Sequence, residues 1–202
     1  MKLFFAPGAC SLAPHILLEE TGIAHTLERV DLGTHKTEHG ADYMHINPKG
    51  YVPALVLDNG ELLTEVGVVL QYISDQKKDR QLMAAPGSLE RYRQMEWLSF
   101  ISTEIHKQFG PLFRPDADAA TRERQLTMIG RRLDYVSEAL GRHPYIAGPA
   151  FTAADAYLFT VLGWADYVKV DLKPWPRLGE YRSRIQGRPA VQKALKSEGL
   201  IA

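Results

Sequence analysis

The chain has 202 residues, with 24 basic and 24 acidic side chains, 45% apolar residues and one cysteine, Cys10. That is the balance of an ordinary globular protein of one large domain or two small ones, and zero net charge lacks the basic surplus of a nucleic-acid binder. One thiol excludes an intrachain disulfide framework and a Cys-rich metal site, and no run approaches the roughly 18 apolar residues of a membrane span.

Leu3-Phe4-Phe5-Ala6, stopped by Pro7-Gly8, reads as a strand buried on both faces. It is too short for a secretory core, which together with the lone thiol predicts a cytoplasmic protein. Ser11 to Gly22 reads as a helix. Ser11 is its expected cap, Pro14 falls in the first turn where a missing N–H is harmless, and Gly22 ends it. Thr26 to Leu32 alternates with period two, as a second strand does. Gly33 to Gly40 reads as a polar loop, followed by a short helix around Ala41–Ile46. Asn47-Pro48-Lys49-Gly50 turns the chain into a strand over Val52–Leu57, and Asp58-Asn59-Gly60 makes the hairpin that returns as Leu62-Leu63-Thr64. Glu65 to Gln76 has helical spacing at Val68, Val69, Tyr72 and Ile73. The order βαβ, hairpin, α predicts an α/β domain over residues 1–81.

Residues 82–88, rich in Ala, Pro and Gly, read as a linker. Strand signals then stop, and residues 89–202 are expected to be all-helical. Helices are predicted over Leu89–Phe109, closed by Gly110-Pro111, and over Thr121–Leu140, ended by Gly141. A third opens at Phe151-Thr152-Ala153-Ala154-Asp155, with Thr152 as cap and Asp155 pointing back at the cap N–H. The apolar run Tyr157 to Trp164 makes that helix the core of the domain. Shorter helices around Arg177–Gln186 and Ala190–Lys196 finish the chain. Residues 1–80 hold seven basic against eleven acidic side chains, which leaves seventeen against thirteen beyond. Domains of opposite sign attract each other, or a second copy, weakly at cellular salt.

Four places can carry chemistry. Cys10 follows the first strand at the edge of a helix N-terminus, where the dipole favours a thiolate; an inert buried thiol is the commoner fate of a lone cysteine. Val52-Pro53 opens a strand with a residue that cannot donate to the ladder, which places it at an edge or beside a ligand. Were that bond cis, the Val52 N–H and C=O would be placed to pair with an extended peptide. Thr64-Glu65-Val66 opens a helix whose N–H groups favour a carboxylate, with Glu65 available to an ammonium; helix-dipole stabilisation alone also accounts for Glu65. Ser99, Thr103 and His106 stack on one helix face, with Lys107 adjoining. His25, His35, His39 and His45 crowd one segment, but it reads as loop, so solvated side chains are expected and no metal site.

These residues together resemble a bacterial beta-class glutathione transferase. The likeness runs through Lys2-Leu3-Phe4-Phe5-Ala6-Pro7-Gly8-Ala9-Cys10-Ser11-Leu12, Asn47-Pro48-Lys49-Gly50-Tyr51-Val52-Pro53 and Leu63-Thr64-Glu65. It continues through Glu104-Ile105-His106-Lys107 and Phe151-Thr152-Ala153-Ala154-Asp155-Ala156-Tyr157-Leu158-Phe159, so it covers the whole chain. The resemblance implies a thioredoxin-like N-terminal domain, an all-helical domain carrying the electrophile site, and a cytoplasmic homodimer. Glutathione is then the co-substrate, without metal, and neither nucleic acid nor membrane is a partner.

The resemblance also implies roles. Cys10 is the active-site cysteine and His106 the histidine facing the same sulfur and assisting proton traffic. Val52 and Pro53 hold the cysteinyl part of glutathione, Glu65 and Val66 its γ-glutamyl end, and Ser11, Ser99, Thr103 and Lys107 line the site. His35 stands where the family usually has a lysine for the glycyl carboxylate, Ser99 where asparagine is common, and Val66 where a small residue is usual. Weaker glutathione binding than the family norm is therefore expected. Tyr43, Phe109, Pro111, Phe113, Trp164 and Tyr167 are candidate walls for the electrophile, or core. The reaction implied is conjugation, with Cys10-dependent thiol–disulfide exchange, peroxidase or dehalogenase chemistry as a further route. A dithiol mechanism is excluded, because residue 13 is Ala13. The rival class is a non-catalytic interaction protein on the same fold.

Overall fold

In the computed structural model, which describes residues Met1–Ala202, the chain divides into two units. The first holds Met1–Gln81 and Arg188–Ala202, and the second holds Leu82–Gly187. No helix is long and apolar enough to cross a membrane.

The first unit opens with β1 (Lys2–Phe5), α1 (Leu12–Thr21) and β2 (Thr26–Asp31). Gly22 ends α1 with φ of 64°, and its N–H closes on the Leu18 carbonyl at 3.0 Å. The Ser11 side chain does not cap α1. Its hydroxyl is turned back to Ala6, accepting that N–H at 3.1 Å and donating to that carbonyl at 3.3 Å. A two-residue strand, β3 (Lys36–Thr37), pairs antiparallel to β2 inside the segment expected to be loop. One 3₁₀ turn follows over Tyr43–His45, then β4 (Ala54–Val56), β5 (Leu62–Thr64) and α2 (Val66–Gln76). Pro53 cannot donate to a ladder, and β4 begins only after it.

The sheet has the order β3-β2-β1-β4-β5, with β1 parallel to β2 and the other pairs antiparallel. Leu3 and Leu55 are opposite one another and fully buried, as expected of central strands. Phe4, Val30, Tyr43, Val52 and Ala54 form one apolar cluster of this unit. On α2 the buried apolar residues are Val66, Val69, Leu70 and Ile73; Val68, expected on that stripe, is exposed.

The second unit starts with the segment read as a linker, but Leu82 and Met83 are buried within it. The Leu82 carbonyl accepts the Ala153 N–H at 2.9 Å, and Gln94 accepts the Ala84 N–H at 2.7 Å. The first long helix is not uniform. It runs as α3 (Leu89–Phe100), a π-helical stretch over Ile101–His106, and α4 (Lys107–Phe109), then tightens to 3₁₀ over Gly110–Phe113. Then come α5 (Ala119–Leu140), α6 (Ala153–Val168) and α7 (Pro176–Gln186). The α6 helix is buried along most of its length and forms the core of this unit, as its apolar run predicts.

The last helix, α8 (Pro189–Ser197), was expected with the helical domain but packs on α1 in the first unit. Arg188 makes a bidentate pair with Glu20 at 2.6 and 3.0 Å, and Lys193 meets Glu19 at 2.6 Å. Glu198, just past α8, is buried. It accepts from the Gly8 N–H at 2.9 Å and from His15 Nδ1 at 2.8 Å.

The start of α6 carries the most demanding polar group of the second unit. Asp155 is fully buried and accepts from the Ile146 N–H, the Thr152 N–H and hydroxyl, and the Tyr181 hydroxyl, all at 2.8–3.0 Å. Burial pushes its carboxyl up to about 6, against the downward pull of those donors. An acid raised in the folded state binds its proton more tightly there, so its contribution is fullest below the unfolded value and falls as pH rises through about 6. Asp155→Ala strands four donors and should lower unfolding stability by about 3 kcal/mol or more, read from urea denaturation, with Asp155→Asn losing less.

Candidate active site

The loop after β1 is tied at both ends. Gly8 is held by Glu198, Ser11 by Ala6, and the backbone turns tightly through Ala9 N–H to the Ala6 carbonyl at 3.0 Å. Cys10 sits on this loop, half-buried, with Sγ 3.0 Å from the Val52 carbonyl oxygen. A carbonyl only accepts, so in this arrangement the sulfur keeps its proton and donates it. Of the two readings of this residue, thiolate and neutral thiol, the contact with a carbonyl oxygen fits the neutral thiol. The Val52-Pro53 bond is cis.

The approach to Val52 is fixed by two side chains that share one acceptor. The Tyr43 hydroxyl and Asn47 Nδ2 both donate to the Tyr51 carbonyl, at 2.8 and 2.7 Å. Burial pushes the Tyr43 phenol up to about 12, so it remains a donor. Its ring is fully buried against Phe4 and is core, not a pocket wall. Gly50 has φ of 71°, and a Cβ there would lie 3.0 Å from the His35 ring, so both conformation and space demand glycine. His35 is therefore not a solvated loop side chain. It packs on Gly50, and its Nδ1 is buried without a hydrogen-bond partner.

Register places the other groups at the same sheet end. Ala54 pairs with Phe4 on one side and Thr64 on the other, so the end of β1, Pro53 and Glu65 lie together. Glu65 precedes α2 with φ of 69° and ψ of 120°, a conformation that costs a non-glycine residue about 1–3 kcal/mol. Its carboxylate is 67% exposed and meets Lys49 Nζ at 2.6 Å. An exposed pair of this kind contributes at most about 1 kcal/mol, too little to explain the strained backbone by stability alone. Val66 turns its side chain into the core, so only its backbone is available to a ligand.

In the second unit His106 closes the π-helical stretch, a local widening frequent at functional sites. Its Nδ1 shares a hydrogen bond with the Tyr157 hydroxyl at 2.7 Å, and its ring meets the Trp164 ring edge-on at 4.6 Å. Burial first, and the nearby Lys107 charge second, bring the imidazole down to about 4. It is neutral at pH 7 and a weak base, which removes proton uptake from its expected role. Trp164 and Phe109 are buried in this aromatic group, while Phe113 and Tyr167 are exposed. Ser99, Thr103 and Lys107 are exposed, and the Thr103 hydroxyl donates to the Ser99 carbonyl at 3.1 Å. Tyr157 and Trp164 surround His106; from sequence Tyr157 reads only as part of an apolar run, and Trp164 as a candidate wall for the electrophile or core. Lys49 was read only as a turn residue.

Two family profiles match the chain: the glutathione S-transferase N-terminal domain over residues 8–76 and the C-terminal domain over residues 119–184. The chain is 50% identical over 200 residues to glutathione S-transferase GstA of Escherichia coli O157:H7, covering 99% of this chain and 100% of that one. A sphingomonad glutathione S-transferase solved with glutathione is 47% identical, with a TM-score of 0.96 and full coverage of both chains. A bacterial beta-class glutathione S-transferase of Sphingomonas chungbukensis is 48% identical, with the same TM-score and coverage.

The imidazole of His106 provides a direct check of the site's electrostatics. In NMR titration its ring should stay neutral through pH 5 and ionise only near pH 4. Because a depressed histidine favours the folded state less as pH falls, its contribution disappears between about 6.5 and 4.

Proposed function

The chain belongs to the glutathione S-transferase family and is a glutathione transferase; from that premise we propose a cytoplasmic, homodimeric beta-class enzyme that detoxifies electrophilic small molecules. The observation that carries the site assignment is Cys10 Sγ at 3.0 Å from the Val52 carbonyl, at the sheet end that also bears Glu65. A tripeptide lying extended along Val52 has backbone groups for that N–H and C=O and brings its own sulfur beside Cys10. Its γ-glutamyl ammonium meets Glu65, which Lys49 then shares or yields. Its α-carboxylate takes the Val66 N–H at the start of α2. His35, packed on Gly50 with its Nδ1 buried, has only Nε2 to offer the glycyl carboxylate.

In conjugation the glutathione thiolate forms a sulfur–carbon bond, the leaving group departs with its electron pair, and the thiol proton passes to solvent. Cys10 and the backbone around Ser11 supply hydrogen bonds to that sulfur; the Ser11 hydroxyl is spent on Ala6. In the helical unit His106 is neutral at pH 7, and it keeps with Ser99, Thr103 and Lys107 only the roles that the family resemblance implies. The interaction-protein reading is not favoured, because the relatives matched along the whole chain are themselves named transferases.

The Cys10 thiol also supports exchange chemistry, in which its sulfur displaces one thiol of a glutathione disulfide and forms a mixed disulfide. Cys10→Ala separates the two activities. Conjugation of a chloronitrobenzene should persist in that variant while mass spectrometry detects no glutathione adduct on the protein; complete loss of conjugation would make Cys10 indispensable to both.

Glu65→Gly tests the strained corner by two readouts. Relief of the backbone should leave stability unchanged or raise it by about 1 kcal/mol, while loss of the charged contact weakens glutathione binding by about tenfold or more. In the same calorimetric titration the unaltered protein should bind in the micromolar range or weaker, and a submicromolar constant would contradict the inferred effect of His35 and Val66.

A further inference from the structure

Away from the Cys10 loop, α1 and the segment after it bring together His15, Glu19 and His25. One ligand atom from each lies within 4.8 Å of the others. His15 and Glu19 stand one turn apart on α1. Gly22 then reverses the chain through its positive φ, so that His25 returns over the last turns of the helix. Glu19 Oε1 is 3.9 Å from His15 Nε2 and 3.7 Å from His25 Nε2.

Both imidazoles are held the same way round. His15 Nδ1 faces the Glu198 carboxylate at 2.8 Å, and His25 Nδ1 faces the Ile23 carbonyl at 2.7 Å. Both partners only accept, so each neutral ring carries its proton on Nδ1 and presents a bare lone pair at Nε2. His15 Nε2 is buried and has no hydrogen-bond partner. A carboxylate or carbonyl behind Nδ1 is the arrangement that orients metal-binding histidines. The two oxygens of Glu19 are also divided, because Lys193 pairs with Oε2 and leaves Oε1 toward the imidazoles.

We propose that His15 Nε2, His25 Nε2 and Glu19 Oε1 form a binding site for a divalent transition metal of the zinc type. Imidazole and carboxylate suit such an ion, and tetrahedral ligands at about 2.0 Å stand roughly 3.3 Å apart. Small side-chain rotations close the observed spacing to that value. The local charge fits as well: Glu19 and Glu198 outweigh Lys193 when the imidazoles are neutral. Three protein ligands leave one position for water, and Glu19 and His25 keep about a tenth of their side chains accessible for its entry, at 9% and 12%. The site pins the turn before β2 to α1 and is separate from the groups assigned to glutathione.

The test is zinc titration of tag-free, chelator-treated protein by calorimetry, with the thermal unfolding midpoint read in parallel. The unaltered chain should bind one zinc and unfold at higher temperature in its presence. His25→Ala lies at a partly exposed turn and leaves the buried His15–Glu198 pair intact. That variant and Glu19→Gln should each lose at least about tenfold in affinity and the thermal shift with it. Cys10→Ser should bind as the unaltered chain does. Cobalt in place of zinc should give the visible absorption of a tetrahedral site, absent in His25→Ala. If zinc binds equally to the unaltered chain and to His25→Ala, an adventitious ion only is being measured and the proposal is overturned. Absence of binding overturns it too.

Discussion

The buried Glu198 carboxylate is the contact on which the first unit's active loop depends. Taking a carboxylate out of water costs several kcal/mol unless donors replace the lost hydration. Here Gly8 N–H and His15 Nδ1 supply that replacement, from the loop after β1 and from α1. The residue lies 190 positions from Gly8, so the loop carrying Cys10 is fixed only once the chain's far end has docked. That explains why α8 departs from the helical unit. Its apolar face, Val191, Ala194 and Leu195, is buried against the first unit, while Arg188 and Lys193 reach Glu20 and Glu19 on α1.

A second set of constraints meets the first at the same end of the sheet. Tyr43 and Asn47 saturate the Tyr51 carbonyl, and Gly50 lets the His35 ring lie against the backbone one residue earlier. The chain therefore enters Val52 from a fixed direction, and the Val52 carbonyl meets the Cys10 sulfur. Both sides of that contact are positioned by hydrogen bonds to main-chain groups.

The α/β half was legible in the sequence because its signals are local: short apolar strands, a Pro-Gly stop, Gly22 after a helix, and Asn59-Gly60 in a hairpin. β3 was not, since two residues show no periodicity and its pairing is decided by β2 beside it. The π-helical stretch was equally silent, because Ile101–His106 has the composition of ordinary helix. The strained backbone of Glu65 left no glycine to mark it. Motif resemblance singles out Cys10 and His106, yet the hydrogen bond each makes depends on a partner distant in sequence. For His106 the neighbours are Tyr157, which reads from sequence as apolar core, and Trp164, which reads as core or a pocket wall.

The histidines show why composition by segment misleads. Four of them fall between residues 25 and 45, which makes that stretch look like a unit, but the fold disperses them. His39 and His45 face water, His35 packs on Gly50, and His25 turns to His15 on the preceding helix. Gly22 decides this last outcome, because its left-handed conformation ends α1 and sends the chain back over it. His106 and His15 then diverge through their neighbours. Aromatic burial without a carboxylate leaves His106 neutral at any pH near 7, whereas His15 is enclosed by Glu19 and Glu198. The first environment removes a charge from the helical unit; the second collects carboxylates around two bare nitrogens, an arrangement that a cation completes.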